Sequence, residues 1–161
     1  MTRWDGFVTE YLQDPIVGRE LFDFFLGTYI GSGSYRDVFN HNENSKLVVK
    51  IENREAHGDN WAELRLWRAV ENTEYAKWFA PCKYISTNGI ILYQRKTAPI
   101  ETKEKKIPKE IPAFFTDVKR SNFGWIGNQL VCHDYSHCLE KFTSQSLSKR
   151  MQSTRNKLYW E

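Results

Sequence analysis

Apolar and polar residues alternate along the chain at two different periods. Up to about Leu26, the residues Tyr11, Leu12, Ile16, Val17, Leu21, Phe22 and Phe25 fall at helical spacings, with Pro15 as a boundary. The pattern then turns strand-like. Thr28-Tyr29-Ile30 leads through Gly31-Ser32-Gly33-Ser34 to Val38-Phe39, and the polar turn His41 to Ser45 precedes Leu47-Val48-Val49-Lys50-Ile51. Asp59 is placed to cap a helix from about Asn60 to Asn72. Lys83-Tyr84-Ile85 and Ile90-Ile91-Leu92-Tyr93 flank Ser86-Thr87-Asn88-Gly89, and Asn-Gly predicts a tight hairpin. From Thr97 to Pro112 the chain is rich in lysine and holds Pro99, Pro108 and Pro112, which argues against a long helix. Phe123 to Ile126 and Gln129 to Cys132 flank Gly127-Asn128 and predict a second hairpin. Strands, one helix, more strands and a helical or loose tail predict an α+β fold around an antiparallel sheet.

Composition narrows the class. The 161 residues suit a single domain with its own core. Aromatic residues make up 15%, which excludes disorder throughout. No apolar run approaches the length of a membrane span, and Met1 to Asp5 lacks the apolar stretch of a signal peptide. Cys82, Cys132 and Cys138 are odd in number, which suits a reducing, cytoplasmic compartment better than a disulfide framework. The net charge of +3 is concentrated at the end, where Lys141, Lys149, Arg150, Arg155 and Lys157 face Glu161 alone. Such a tail attracts acidic partners, nucleic acid included, although no nucleic-acid-binding motif accompanies it.

Four features carry candidate chemistry. Gly31 and Gly33 with Ser32, between two strands, would let a backbone approach phosphate oxygens closely. Lys50 sits in a strand, on the face of Val48 and opposite Leu47, Val49 and Ile51. Glu63, Leu66, Trp67 and Val70 share one helix face, so Glu63 needs a cation partner. The strongest is Asp117-Val118-Lys119-Arg120-Ser121-Asn122, followed after a hairpin by Asp134-Tyr135-Ser136. Oxygen donors from Asn122 and Asp134 suit Mg²⁺, and a free Asp117 suits proton transfer from an attacking hydroxyl. One rival is zinc, because Cys132, His133, His137 and Cys138 crowd one heptapeptide.

In this order the features resemble a protein kinase. Asp117 to Asn122 matches the catalytic-loop spacing, and Lys119 is in the place of its serine/threonine-kinase form. The resemblance runs from about Tyr29 to Ser136. It implies a kinase-like fold with an antiparallel N-lobe sheet, one key helix and a strongly reduced C-lobe. It divides 1–161, as one compact domain, into an N-terminal helical segment (1–26), an N-lobe (27–96), a catalytic-loop and metal-loop region (97–140) and a basic tail (141–161). It implies ATP and Mg²⁺ as cofactors. Gly31, Ser32, Gly33 and Val38 would cover the nucleotide, Lys50 would bind the α/β-phosphates and pair with Glu63, and Tyr93-Gln94-Arg95 would form the hinge for adenine. Asp117 would be the base, Lys119 the charge stabiliser, and Asn122 and Asp134 the metal ligands.

The departures are specific. Arg36 stands in the place of the third loop glycine, Phe115-Thr116 in that of His-Arg, and Tyr135-Ser136 in that of Phe-Gly. The chain is too short for a full substrate lobe. Compact chains of this kind resemble small phage or bacterial proteins, which would place this one in a host cytoplasm if phage-encoded. Two activities follow from the resemblance. One is Mg-ATP-dependent phosphoryl transfer to a protein or to the chain itself, with Ser32, Ser34, Thr116 and Ser136 among the self-targets. The other is a pseudokinase-like protein that binds and regulates a partner, with the aromatic residues as its docking surface.

Overall fold

The strand-like runs assemble into one five-stranded sheet. Leu26–Ser32 (β1), Arg36–His41 (β2), Leu47–Glu52 (β3), Cys82–Ile85 (β4) and Ile91–Arg95 (β5) lie in the order β1-β2-β3-β5-β4, every pair antiparallel. This computed structural model describes residue 20, residues 23–53, 58–101 and 107–138, and the backbone of 151–153. The helical segment expected over 1–26 and the tail over 141–161 lie outside the described residues, apart from those few positions.

The central strand β3 is covered on both faces, with Val48, Val49, Lys50 and Ile51 all buried. Antiparallel register sorts the two sides. Phe39 opposes Val49, and Val49 opposes Tyr93. These residues, with Ile51 and Ile90, form a smaller apolar cluster. Val38 opposes Lys50, Lys50 opposes Leu92, and Val48 opposes Gln94, so these look the other way. That second face receives the helix Asp59–Val70 (α1), whose Leu66 and Val70 are fully buried. The larger core continues from there through Phe79, Phe114, Phe115, Phe123, Leu130 and Tyr135.

The helix starts differently from the expectation. Gly58, at φ +86°, occupies the N-cap without a side-chain cap, and Asp59 is already in the first turn. The helix N-terminus is closed from the sheet instead, because the Glu52 carboxylate accepts the Asn60 N–H at 2.6 Å. The helix also ends at Val70 rather than Asn72. Thr73 there caps a short 3₁₀ turn over Glu74–Trp78 by accepting the Tyr75 N–H.

Past β5 the chain forms smaller pieces. Glu110–Pro112 (β6) pairs with Met151–Ser153 (β9), so part of the tail expected to be helical or loose is a strand. Phe123–Ile126 (β7) and Gln129–Cys132 (β8) form the expected hairpin, with Gly127 at φ +58° in its turn. The architecture is therefore α+β, a mostly antiparallel protein with few helices. Among the described residues no helix is long and apolar enough to cross a membrane.

One close approach holds the hairpin to the segment after β5. Ala98 and Trp125 exchange two backbone hydrogen bonds of 2.8 Å. Gly124 makes room for this. A Cβ on it would lie 2.5 Å from Thr97 Oγ1 and 2.7 Å from the Ala98 carbonyl oxygen. A backbone oxygen cannot step aside, so Gly124→Ala is expected to cost about 1–3 kcal/mol in urea unfolding, as overpacking does. An unchanged midpoint would show that the two segments part freely.

Candidate functional site

Glu63 is the centre of the site. Helix periodicity turns it toward the sheet, where it is fully buried. A buried carboxylate is tolerated only when its oxygens are filled by donors. Lys50 Nζ donates to Oε2 at 2.9 Å and to Oε1 at 3.2 Å. The Arg36 guanidinium donates to Oε1 at 2.9 Å, and the Tyr135 N–H to the same oxygen at 3.0 Å. Gln94 Nε2 reaches Oε2 at 3.4 Å. Burial alone would raise the Glu63 pKa. Arg36 and then Lys50 outweigh it and hold the carboxyl at about 2.

Arg36 spans two carboxylates. The same guanidinium nitrogen that meets Glu63 also donates to Asp134 Oδ1 at 2.5 Å, and its other nitrogen lies 3.4 Å from Asn60 Oδ1. Burial opposes the charge on Arg36, but Glu63 and then Asp134 outweigh it and raise its pKa. Asn60 is wholly buried, and its amide donates to the carbonyls of Gly89 and Ile90 at 3.0 and 2.8 Å. It thus ties the start of α1 to the β4–β5 turn. Neither Arg36 nor Asn60 was among the expected site residues. A charged residue in place of the third loop glycine was the one signal for Arg36.

A hydrogen-bonded path leads from this centre to the Asp117 loop. Lys50 Nζ also donates to the His133 carbonyl. The His133 N–H donates to the Asn122 carbonyl at 2.8 Å. Asn122 Nδ2 donates to the Asp117 carbonyl at 3.1 Å and to Asp117 Oδ2 at 2.9 Å. Lys119 pairs with Asp117 at 3.2 Å, and both side chains are open to solvent. Phe115, just before the loop, is buried between Phe79, Phe114 and Phe123 with ring centroids at 5.2, 4.7 and 5.3 Å. An aromatic anchor therefore stands where the resemblance would put His-Arg.

Lys50, Glu63, Asp117, Lys119, Asn122 and Asp134 are thus joined in one network. The glycine turn borders it. The Gly33 N–H bonds the Arg36 carbonyl at 2.8 Å, closing the β1–β2 turn that delivers Arg36. Ser32 is exposed there, and its hydroxyl bonds the Gly33 carbonyl at 3.3 Å. Val38 is on the Lys50 face of β2. Tyr93 is not brought in, because it points to the opposite face among His41, Tyr84 and Phe25. Gln94 reaches the site by its side chain, while its backbone is engaged with both β3 and β4. Tyr93 and Gln94 therefore offer no open strand edge of the kind expected of the hinge.

The heptapeptide considered for zinc is dispersed. Both ring nitrogens of His133 are occupied, Nε2 by the Ser121 carbonyl and Nδ1 by Thr97 Oγ1, each at 2.8 Å. Burial lifts the Cys138 thiol to about 12 and raises Cys132 as well, so both stay protonated. Among the described residues no group of three His, Cys, Asp or Glu is placed to hold a metal.

The network also offers oxygen atoms of the hard-donor type. At Gly31 a Cβ would meet nothing within 4 Å, and at Gly33 only the Arg36 carbonyl oxygen at 3.8 Å, so there is open space beside the turn, while the Gly33 N–H itself is taken by the Arg36 carbonyl. The Asn122 amide nitrogen is turned to Asp117, which leaves its oxygen on the other side. Asp134 keeps Oδ2 beside the oxygen that Arg36 holds. Two such oxygens are a usual protein share for Mg²⁺ when phosphates complete the shell.

His133 makes the site sensitive to acid. Its Nε2 donates to the Ser121 carbonyl, and in the neutral ring Nδ1 accepts from Thr97 Oγ1. Burial and then Lys50 lower its pKa from 6.5. A depressed pKa gives stability that is present above the unfolded value and lost as pH falls through the folded one. Stability is expected to fall below about pH 6.5 and again, through Glu63, from about 4.5 toward 2. His133→Gln removes the first step in urea titrations at pH 7 and 5. A first step that survives the substitution would assign it elsewhere.

No known family model matches the chain, and no curated protein matches it.

Proposed function

We propose that the protein is an ATP-dependent phosphotransferase of the protein-kinase-like class, acting on a protein or on itself. The observation that carries this reading is the continuous path from Lys50–Glu63 through His133 and Asn122 to Asp117. Polar residues so far apart in sequence have no local reason to meet. The alternating strands, single helix and loop order of the resemblance support the same reading, as does the five-stranded sheet with α1 against it.

In this reading Lys50 holds the α/β-phosphates, and Glu63 keeps its ammonium aimed. The bare backbone at Gly31 and Gly33 covers the phosphates, with Ser32 and Val38 beside it. Asn122 and Asp134 would hold Mg²⁺, which supplies charge neutralisation on the phosphates. The substrate hydroxyl gives its proton to Asp117 as its oxygen bonds the γ-phosphorus and the bridging P–O bond to ADP breaks. Lys119, already beside Asp117, offsets charge on the transferred group.

Radiolabelled ATP tests this. The chain or an added protein should take up label with Mg²⁺, and Asp117→Ala should lower the rate by about 10²–10⁴-fold, the usual share of a general base. Asp117 is part-exposed, so its loss should leave thermal stability within about 1 kcal/mol. Label incorporation unaffected by Asp117→Ala would overturn the assignment.

The second reading, a pseudokinase-like protein that regulates a partner, has one observation in its favour. Arg36 holds the carboxylate that a catalytic metal would use. A partner effect that survives Asp117→Ala and Asp134→Ala, without phosphoryl transfer, would select it. The described aromatic residues divide between core and surface. Phe79, Phe114, Phe115, Phe123 and Tyr135 are buried, while Tyr29, Tyr84 and Phe24 are among the exposed ones.

A further inference from the structure

We infer that Arg36 takes over the charge-neutralising role of a divalent cation, so that the site binds nucleoside di- and triphosphates without metal. This rests on the nucleotide reading above and concerns the binding step alone: the Mg²⁺ that Asn122 and Asp134 would hold enters for phosphoryl transfer, once phosphate has displaced Asp134 from Arg36.

Four charged groups meet at the site. Arg36 and Lys50 are cationic, Glu63 and Asp134 anionic. The two anions are not equivalent. Glu63 is sealed, with Lys50, Arg36, Gln94 and the Tyr135 amide around its oxygens. Asp134 is held by Arg36 on one oxygen, and its side chain is 42% exposed against 9% for Arg36. One buried carboxylate is therefore shared by two cations, and the second counter-charge is a group that water already reaches. An anion arriving from solvent can replace Asp134 on Arg36 without uncovering the Lys50–Glu63 pair.

A nucleotide phosphate suits that exchange. Guanidinium presents a planar fork of donors that matches phosphate oxygens, and Arg keeps its charge at any working pH. Arg36 enters the site directly from the turn beside whose Gly31 and Gly33 there is open space. The phosphate would then lie between that turn and the two cations. Metal faces the opposite balance. With Arg36 in place the charges of the four ion-paired groups cancel, with Asp59 and Glu52 also acting on Arg36, and a divalent ion at Asp134 must compete with a guanidinium bonded to Oδ1. An uncharged residue at position 36 would leave the site one negative charge in excess, the condition that favours metal.

Isothermal calorimetry on the full chain with ATP and with ADP, each in EDTA and in Mg²⁺, tests the inference. The dissociation constants in EDTA and in Mg²⁺ should agree within about threefold, well under the tenfold step that 1.4 kcal/mol represents. Arg36→Gln should weaken binding in EDTA by about tenfold or more, with Mg²⁺ restoring much of it. Arg36→Lys, which keeps the charge and loses the fork, should fall between. If Arg36→Gln does not fold, Asp134→Asn decides. Freed of its counter-ion, Arg36 should bind ATP in EDTA at least as tightly as before, whereas a metal-governed site would lose affinity. Binding that needs Mg²⁺ in the unaltered protein, and is abolished by Asp134→Asn, would overturn the inference and leave the nucleotide reading standing. Binding in neither condition would overturn both.

Discussion

Glu63→Ala should be among the most damaging single changes in this protein, costing about 3–5 kcal/mol. For a chain of this length that is a fall of about 10 °C in Tm. The reason is what stays behind. Lys50 and Arg36 are almost wholly buried and both lean on Glu63, at 2.9 Å each. Removing it strands two cations in a space that holds no other sealed anion, and the Tyr135 N–H loses its acceptor. Glu63→Gln is expected to be milder, since one acceptor oxygen remains. The triple change Glu63→Leu, Lys50→Met, Arg36→Met should recover part of the loss, because exchanging a whole buried ionic group for apolar side chains is far cheaper than breaking it. Urea unfolding measures all three. A loss below about 1 kcal/mol for Glu63→Ala would mean that water reaches the cations.

Tyr135→Ala is the second large effect, at about 3–5 kcal/mol, the usual cost of emptying a large aromatic site. Tyr135 is fully buried, edge-on to Phe79 at 5.0 Å. Its hydroxyl donates to the Ala80 carbonyl at 2.7 Å and accepts from the Cys82 thiol at 3.1 Å. Burial and then Glu63 lift that thiol to about 12, so it remains a donor. Tyr135→Phe separates the two contributions. It keeps the ring and orphans the carbonyl, so it should cost about 1–3 kcal/mol. Equal losses for both variants would place the whole effect in the hydroxyl. Tyr135 thus acts as a polar and apolar fastener under α1, and its backbone amide reaches the site.

Much of the site is legible from local pattern. Lys50 is recognisable because a strand of Leu, Val and Ile interrupted by lysine has a reason to be. Glu63 stands out because it shares a helix face with Leu66 and Val70. The Asp117 to Asn122 spacing is short enough that loop geometry alone joins its ends, as the Asn122–Asp117 bonds do. Arg36 was visible only as a residue out of place. Its partners lie 27 and 98 positions away, and no periodicity connects them. Tyr93 and Gln94 were expected together as a hinge, but as adjacent strand residues their side chains take opposite faces. Register against β3 decides that Tyr93 faces the aromatic cluster and Gln94 faces Glu63.

The sequence by itself determined the strands of the main sheet and of the β7–β8 pair, the helix, both glycine-marked hairpins and the α+β class, but not β6 and β9, since the former follow from hydrophobic period and turn chemistry within a few residues. It also determined which side chains would need partners. Tertiary structure alone decided who the partners are. Burial of Glu63 demands cations, and only the packing of β2, β3 and α1 makes Arg36 and Lys50 both available, with Asp134 arriving from beyond β8. It likewise decided which described aromatic residues turn inward, Phe79, Phe115, Phe123 and Tyr135 among them, because composition counts rings while the layering of sheet, helix and hairpin decides which of them meet.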